Sequence, residues 1–250
     1  MFLFILLLAI LGLSGLYGSV LRASARAAED LSRQMTSLYA GPHEFLVAHP
    51  FSFPFSRDGY DTVCADLSEL GFVHLGSIED RTVSDALPTM RTFSDVYTND
   101  SGDTFCATYR IQTPECDLQV VEFLTQFEDG TFLTTTNSTP AGWMERPPEI
   151  DTTIIEHGST LQLSSRHAER LEEAKVAGEK RVLAIVSLED VLATQSAFVA
   201  LEVRHRQSVG YLTYDEVVTM SARDTTPYLP GARRFFHWSF KRHVPGQLSQ

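Results

Sequence analysis

The stretch Leu118-Gln-Val-Val-Glu-Phe-Leu-Thr-Gln-Phe-Glu-Asp-Gly-Thr-Phe-Leu-Thr-Thr-Thr-Asn137 decides the fold of this chain. Threonine, aromatic and β-branched residues fill both halves of the stretch, and the pair Asp129-Gly130 stands between them. An Asp-Gly pair between two such runs is a strong signal for a β-hairpin. The stretch therefore predicts two antiparallel strands joined by this turn, with Phe127 opposite Phe132.

Further strands and helices on both sides of the hairpin predict an α+β fold. Runs rich in β-branched and aromatic residues indicate strands, and apolar residues at helical spacing indicate helices. Ser187-Leu-Glu-Asp190 and Thr213-Tyr-Asp-Glu216 have the side chains of helix N-terminal caps. The predicted strands are Phe72–Ile78, Thr104–Ile111 and Thr153–Glu156, and the predicted helices are Asp61–Leu70, Leu161–Val176 and the run from Ser187 to Arg206. Together they predict a mainly antiparallel sheet packed with C-terminal helices.

The N-terminal residues have the composition of a membrane anchor. Phe2–Leu21 contains no charged residue, and a helix of that length, at about 1.5 Å per residue, spans the ~30 Å hydrocarbon core of a bilayer. We expect residues 1–22 to form a single transmembrane helix, residues 23–42 an amphipathic stalk helix, and residues 43–250 one α+β domain. A cleaved signal peptide is the alternative, because Ala23-Ser-Ala-Arg-Ala27 holds two sites that resemble cleavage sites.

The charges beside the anchor predict its orientation. No basic residue precedes it, and Arg22, Arg26 and Arg33 follow it. Because basic residues favour the cytoplasmic side of a membrane, the domain is expected in the cytoplasm, or exported if a signal peptide is removed. Gly15 and Gly18 belong to small-residue spacings that let another membrane helix approach closely, although small residues are also common in membrane helices generally.

Charge is unevenly distributed along the chain. The net charge is −12, and the segment Asp58–Asp129 has fifteen carboxylates against three arginines. No acidic residue follows Thr225, whereas four basic residues do. An acidic surface is repelled by nucleic acid and a basic tail is attracted to anionic lipid. We therefore expect a lipid bilayer, and not nucleic acid, as the partner of this chain.

The tail Arg234-Phe-Phe-His-Trp-Ser-Phe-Lys-Arg242 alternates aromatic with polar or basic residues, which predicts a strand. Aromatic and cationic side chains suit the headgroup region of a membrane, and packing of the aromatic face on the sheet core is the alternative. The residues predicted to contact a membrane or a partner are Gly15, Gly18, Arg233, Arg234, Phe236, Trp238, Phe240, Lys241 and Arg242.

Four residues are weak catalytic candidates. Glu202 and His205 are three residues apart and share a helix face, which is half of a motif that di-metal carboxylate bundles use twice. No second copy occurs, so a solvated or salt-bridged helix face is the simpler interpretation. His157 and His167 are the other candidates, but His167 lies on a leucine stripe and fits a hydrogen-bonded core histidine better.

Motifs for common catalytic and cofactor sites are absent from the sequence. The chain has no G-x-S-x-G elbow, no P-loop, no G-x-G-x-x-G and no H-E-x-x-H. We therefore expect no cofactor and no metal. Cys106 falls within a predicted strand, which indicates a buried thiol and not a nucleophile.

The hairpin Phe127–Asn137 and the segment Ser165-Arg-His-Ala-Glu-Arg170 resemble a loose group of bacterial membrane-anchored proteins with no assigned activity. The resemblance covers residues 60–220 and implies no catalytic residue. The sequence thus favours a single-pass accessory or interaction protein at the membrane surface. A membrane-tethered hydrolase and a subunit of a larger membrane complex, docked through the anchor, are the alternatives.

Overall fold

The computed structural model describes residues 2–49, 53, 58–88, 91–112, 117–138, 144–178, 180–223 and 230–245, with residues 2–17 described by their backbone alone. The helices are α1 Phe2–Leu38, α2 Asp58–Glu69, α3 Arg81–Ala86, α4 Thr160–Gly178, α5 Leu188–Ser208, α6 Tyr214–Arg223 and α7 Pro230–His243. The strands are β1 Phe45–Val47, β2 Val73–Asp80, β3 Ser94–Thr98, β4 Phe105–Gln112, β5 Asp117–Gln126, β6 Phe132–Thr136 and β7 Ile150–Ile154.

The chain packs as two units. The sheet unit, residues 41–205, holds the seven described strands together with α2, α3, α4 and most of α5. The helical unit, residues 1–40 and 206–250, holds α1, α6 and α7. Helix α7, which we expected within the α+β domain, thus packs with the N-terminal helix.

The seven described strands form one sheet in sequence order, from β1 to β7. Neighbouring strands are antiparallel from β1 to β6, and β7 is parallel to β6. Antiparallel neighbours need only short connections, so a run of consecutive strands in the middle of the chain is enough to build this sheet. The α+β class and the mainly antiparallel sheet are confirmed.

The Asp-Gly hairpin is present, but the predicted pairing of Phe127 with Phe132 is wrong. Phe132 pairs with Gln126, and the N–H of Phe127 donates to the carbonyl of Thr131 at 2.9 Å. Gly130 has a φ of +82°, and its N–H donates to the carbonyl of Phe127 at 3.0 Å. The loop is therefore longer than a two-residue turn. A shift of one residue in a strand reverses the face on which a side chain lies, so the two rings lie on opposite faces of the sheet.

Helices cover both faces of the sheet. On the α4 face, Leu67 of α2 and Leu163 of α4 pack with Phe123 of β5 in one buried cluster. On the α5 face, the rings of Phe132 and Phe198 meet edge to face with centroids 5.4 Å apart. The strands β5 and β6 are thus buried on both sides over most of their length, and their side chains alternate between two different environments.

Reciprocal caps open two helices where the sequence predicts them. The hydroxyl of Ser187 accepts the N–H of Asp190 at 3.2 Å, and the carboxylate of Asp190 accepts the N–H of Ser187 at 3.0 Å. Thr213 and Glu216 make the same exchange at 3.2 and 2.7 Å. These bonds satisfy N–H groups that a helix start leaves unpaired. The short elements β1, β3 and α3, of three, five and six residues, were not predicted.

The predicted tail strand is wrong, because the tail lies within helix α7. Phe236 and Phe240 are one helical turn apart and are 8% and 0% exposed, whereas Trp238 is 53% exposed. In a strand, the alternation of side chains would have placed the three rings on one side. In a helix, with 3.6 residues per turn, Trp238 lies on a different side from the two phenylalanines. Within the helical unit, α7 packs against α1. Among the described side chains of α1, the buried ones are Ser24, Ala28, Ser32 and Met35.

The predicted anchor falls mainly on residues 2–17, whose side chains lie outside the described residues. The backbone of α1 is continuous over 37 residues, so the predicted stalk helix is the second half of the same helix. Within the described part of the chain, every helix falls short of the length or the hydropathy of a membrane span.

Candidate functional site

A cavity of about 270 Å³ lies on the α5 face within the sheet unit. Strands β1 to β5, helices α3 and α5 and the segments that contain Ser138 and Arg146 contribute to its lining. Its apolar walls are formed by Phe45, Ile78, Val83, Ala107, Phe198 and Val199. Its charged lining consists of Asp80, Glu122, Arg146 and Glu202.

Strand pairing places Glu122 and Tyr109 in this cavity. Glu122 pairs with Ala107, and Tyr109 pairs with Ser94 on the next strand, and all four side chains line the cavity. The neighbouring Val121 belongs to the buried cluster on the α4 face. Because side chains alternate along a strand, Glu122 must then point to the α5 face. The sheet thus positions a carboxylate and a phenol in the cavity that α5 also lines.

Arg146 and Glu202 form an ion pair in the cavity wall. A guanidinium Nη1 of Arg146 donates to Oε1 of Glu202, and the two side chains are 23% and 21% exposed. Hydrogen bonds between charged groups are stronger than neutral ones, and the limited access of water strengthens them further. The pair fixes the segment that contains Arg146 onto α5.

Ionisation of the Glu122 carboxyl group is less favourable in this cavity than in water. Burial raises the pKa of Glu122; the positive charge of Arg146 opposes this rise, and the negative charge of Glu202 adds to it. Burial also raises the pKa of the Tyr109 phenol, so this hydroxyl is protonated at neutral pH. The cavity therefore combines a carboxylate that is costly to ionise with a hydroxyl that can donate or accept a hydrogen bond.

Asp80, the third carboxylate of the lining, is held by its own neighbours. Its Oδ2 lies 2.6 Å from Nδ1 of His43, and its Oδ1 accepts the N–H of Val83 at 3.0 Å as the N-cap of α3. Two of the three carboxylates in the lining therefore have close polar partners. Glu122 differs from them, since Arg146 acts on it through space.

The structure does not bring the four catalytic candidates together. Glu202 lines the cavity, and none of the three candidate histidines is among the described lining residues. His167 is 1% exposed, and its Nδ1 and Nε2 lie 3.1 and 3.0 Å from the hydroxyls of Thr135 and Thr125. These contacts are those of a hydrogen-bonded core histidine on the α4 face.

The other two histidines have different surroundings. His157 is exposed and has a φ of 59° in the turn that follows β7. His205 lies in α5 with its Nε2 4.0 Å from Oε1 of Glu145. The carboxylate of Glu202 is engaged by Arg146, which agrees with the salt-bridged helix face that was the alternative to a metal site.

A second polar cluster, on strands β2 and β3, has the residue types of a hydrolase but not the arrangement. Asp95 accepts a hydrogen bond from the hydroxyl of Ser77 at 2.5 Å and lies 3.6 Å from Nε2 of His74. In a catalytic triad the histidine lies between the serine and the carboxylate. Here the carboxylate lies between the other two, so the histidine does not reach the hydroxyl.

Groups of three or more metal-binding side chains do not occur among the described residues. Of the cysteines, Cys64 and Cys106 are free thiols, and Cys116 lies outside the described residues. Burial raises the pKa of Cys106 well above its usual range, which leaves the thiol protonated and unreactive. The expectation that Cys106 is a buried structural thiol agrees with this position.

The predicted contact residues of the tail divide between two sides of α7. We call the exposed side chains Arg234, Trp238 and Arg242 the tail stripe, because they are spaced by one helical turn each. Lys241 is half-buried, and its Nζ donates to the carbonyls of Val209 and Gly210 at 3.0 Å. The remaining predicted residues are Gly15, which lies outside the described side chains, Gly18 and Arg233, which are half-buried, and Phe236 and Phe240, which are buried.

Glu122, Tyr109 and Arg146 were not predicted as site residues. One signal for Glu122 was present, since a carboxylate interrupts the run Val120-Val-Glu-Phe-Leu124 in a strand covered on both faces. Arg146 reaches α5 only in the folded chain, and no local pattern marks it. No protein-family model, curated protein or solved structure matches this chain.

Proposed function

We propose that this chain is a membrane-tethered accessory or interaction protein, with Phe2–Leu21 in the bilayer as a single transmembrane helix. The continuity of α1 carries the proposal. A helix of 37 residues, at about 1.5 Å per residue, is ~55 Å long, which exceeds the ~30 Å core of a bilayer. Its uncharged first part has the length for the membrane, and its second part packs with α7 in the helical unit.

Membrane extraction tests the tether. We expect the full chain to remain in membranes after an alkaline carbonate wash, and the double variant Leu7→Arg/Leu11→Arg to be released. Each arginine at the centre of a membrane helix costs about 3 kcal/mol on insertion scales. The matched control is Gln34→Arg, which adds a charge to the exposed surface of the second half of α1. A soluble wild-type chain, or a mature chain that begins after Ala25 or Ala27, would overturn the proposal.

The orientation we propose is cytoplasmic for both units. Arg22 and Arg26 follow the uncharged segment and are exposed on α1, as expected for the cytoplasmic flank of a span. Fusions at the C-terminus distinguish the two sides. Green fluorescent protein should fluoresce there and alkaline phosphatase should be inactive, and the opposite pair of results contradicts this orientation.

The accessory role requires a partner, and the small residues of α1 favour another membrane helix. Crosslinking in intact membranes should yield an adduct that the double variant Gly15→Leu/Gly18→Leu loses, because larger side chains keep a neighbouring backbone away. Val20→Leu, at a position that is already branched and 43% exposed, is the control. An adduct that survives the double variant excludes this face as the contact.

A further inference from the structure

The cavity of the sheet unit has an excess of negative charge. Three carboxylates and one guanidinium line it, and the guanidinium of Arg146 is bonded to Glu202. Asp80 is 2.6 Å from His43. Among the ion pairs of the described residues, none includes Glu122. A half-buried carboxylate that has no ion pair of its own is unfavourable, because Arg146 offsets its burial only through space, and a cation that enters the cavity removes this cost.

The walls of the cavity match an alkyl chain. Phe45 and Phe198 contribute aromatic surface, and Val83 and Val199 contribute branched aliphatic surface. A volume of about 270 Å³ lies at the lower end of the range for small-molecule sites, about 300–1,000 Å³. The cavity thus has room for a short chain of a few carbon atoms with one charged end.

We propose that this cavity binds a small organic cation, an alkylammonium, with its nitrogen at the carboxylate of Glu122 and its alkyl chain against Phe45 and Phe198. The phenol oxygen of Tyr109 and the hydroxyls of Ser94 and Ser138 line the cavity as further acceptors for the ammonium protons. Aromatic rings also attract cations, which adds to the selectivity for a positive ligand.

The charges of the lining select against other small ligands. An anion has no available positive partner, since Arg146 is paired with Glu202, and it meets the negative charge of Glu122. A neutral ligand of the same shape displaces water from Glu122 without replacing the charge interaction. The raised pKa of Glu122 agrees with this view, because burial of the carboxyl group is the main cause of the rise and the charge of Arg146 offsets it only in part.

Three isosteric probes test the proposal on the full chain in non-ionic detergent: butylammonium, butanol and butyrate. The readout is the methyl resonance of Ala107, which lines the cavity, with the methyl of Ala232 in the helical unit as an internal reference. We expect butylammonium to shift the Ala107 signal saturably and to leave Ala232 unchanged. Equal shifts from butanol and butylammonium, or no saturable shift from butylammonium, would overturn the proposal.

Variants that remove a charge test whether Glu122 is the residue that binds the ammonium group. Glu122→Gln preserves shape and should lower the affinity for butylammonium at least about tenfold, as expected for loss of a charge-assisted hydrogen bond. Glu202→Gln removes one negative charge and the ion pair of Glu202 with Arg146, so butyrate should bind more tightly than to the wild type and butylammonium more weakly. Glu128→Gln changes an exposed carboxylate outside the described lining and should have no effect. Unchanged butylammonium binding in Glu122→Gln contradicts the assignment.

Discussion

Two titratable side chains inside the sheet unit are expected to shift its stability with pH in opposite directions. Glu122 faces the cavity and has a raised pKa, whereas His167 lies on the α4 face and has a pKa lowered to about 3. Both shifts come mainly from burial, which disfavours the charged form of an acid and of a base alike. The two groups can therefore be separated by the sign of their pH dependence.

Replacement of Glu122 by glutamine should stabilise the sheet unit at neutral pH. The folded pKa of Glu122 lies above its unfolded value, so the favourable contribution of its protonated form is complete below about pH 4.5 and is lost as the pH rises through the folded pKa. Glutamine removes this loss. The midpoint of urea unfolding, followed by the Ala107 methyl, should exceed that of the wild type at pH 7 and approach it near pH 4. A lower midpoint for Glu122→Gln at pH 7, with Glu128→Gln unchanged, contradicts the expectation.

His167 should make the sheet unit less stable as the pH falls. Burial and the charge of Arg170 lower the pKa of His167, whereas its unfolded pKa is 6.5. The unfolded state therefore takes up a proton first, and stability falls between pH 6.5 and about 3 by up to about 1.4 kcal/mol per pH unit. His167→Gln can still bond to Thr125 or Thr135 and should remove this slope. An unchanged slope in the variant excludes His167 as its source.

At the scale of elements, the tail shows how one short segment fits two periods. Phe236, Trp238 and Phe240 alternate as in a strand, but Phe236 and Phe240 are also four residues apart, as on a helix face. Packing of α7 within the helical unit favours the helix, because the two phenylalanines are buried there and the tryptophan stays at the surface. Nine residues do not contain enough repeats to distinguish these alternatives.

Alanine substitutions distinguish the helix from the strand. Phe240→Ala should destabilise the helical unit by about 3 to 5 kcal/mol, because it removes a fully buried ring. Trp238→Ala should cost less than about 1 kcal/mol, since it loses only surface contacts of its ring, with the ring of Phe235 at 5.7 Å and with Arg242 at 4.7 Å. Urea unfolding followed by the Ala232 methyl measures both. Similar losses from the two variants would indicate a strand-like tail.

Substitutions at two glycines with positive φ distinguish the cost of backbone strain from the cost of a side-chain collision. Gly102 has a φ of +67°, and a Cβ there would lie 2.7 Å from Cγ1 of Val186, whereas a Cβ on Gly130, at +82°, has no described atom within 4 Å. Alanine at either position costs about 1 to 2 kcal/mol for the left-handed conformation. Gly102→Ala should cost at least about 1 kcal/mol more in urea unfolding. Val186→Ala, at a 63% exposed position, combined with Gly102→Ala should remove this extra cost. A cost that persists in the double variant would exclude the collision.

At the scale of the whole molecule, features formed by neighbouring residues were predictable from the sequence. Contacts between residues that are distant in the sequence were not. The caps at Ser187 and Thr213 involve side chains three residues apart, and both were identified from the sequence. The cavity depends on a strand, a loop and a helix that bring Glu122, Arg146 and Glu202 together. No sequence pattern within one of these segments predicts that the three residues lie close to one another. The hairpin was predictable only in part. Its turn depends on the local pair Asp129-Gly130, whereas its register depends on the packing of Phe127 on the α4 face and of Phe132 on the α5 face.

The tail stripe is expected to contact anionic lipid at the membrane surface. Its arginines and tryptophan are exposed on one side of α7 in a region without acidic residues, which suits an anionic headgroup layer. In vesicles that contain phosphatidylglycerol and brominated lipid, Trp238 of the full chain with Trp143→Phe should be quenched more strongly than in neutral vesicles. Arg234→Gln/Arg242→Gln should weaken this contact by about 2 kcal/mol, at about 1 kcal/mol per arginine near the surface. Arg204→Gln, an exposed arginine of the sheet unit, is the control. Equal quenching in neutral vesicles would show that the charge of the arginines does not drive the contact, and absence of quenching would show that the stripe does not meet the lipid.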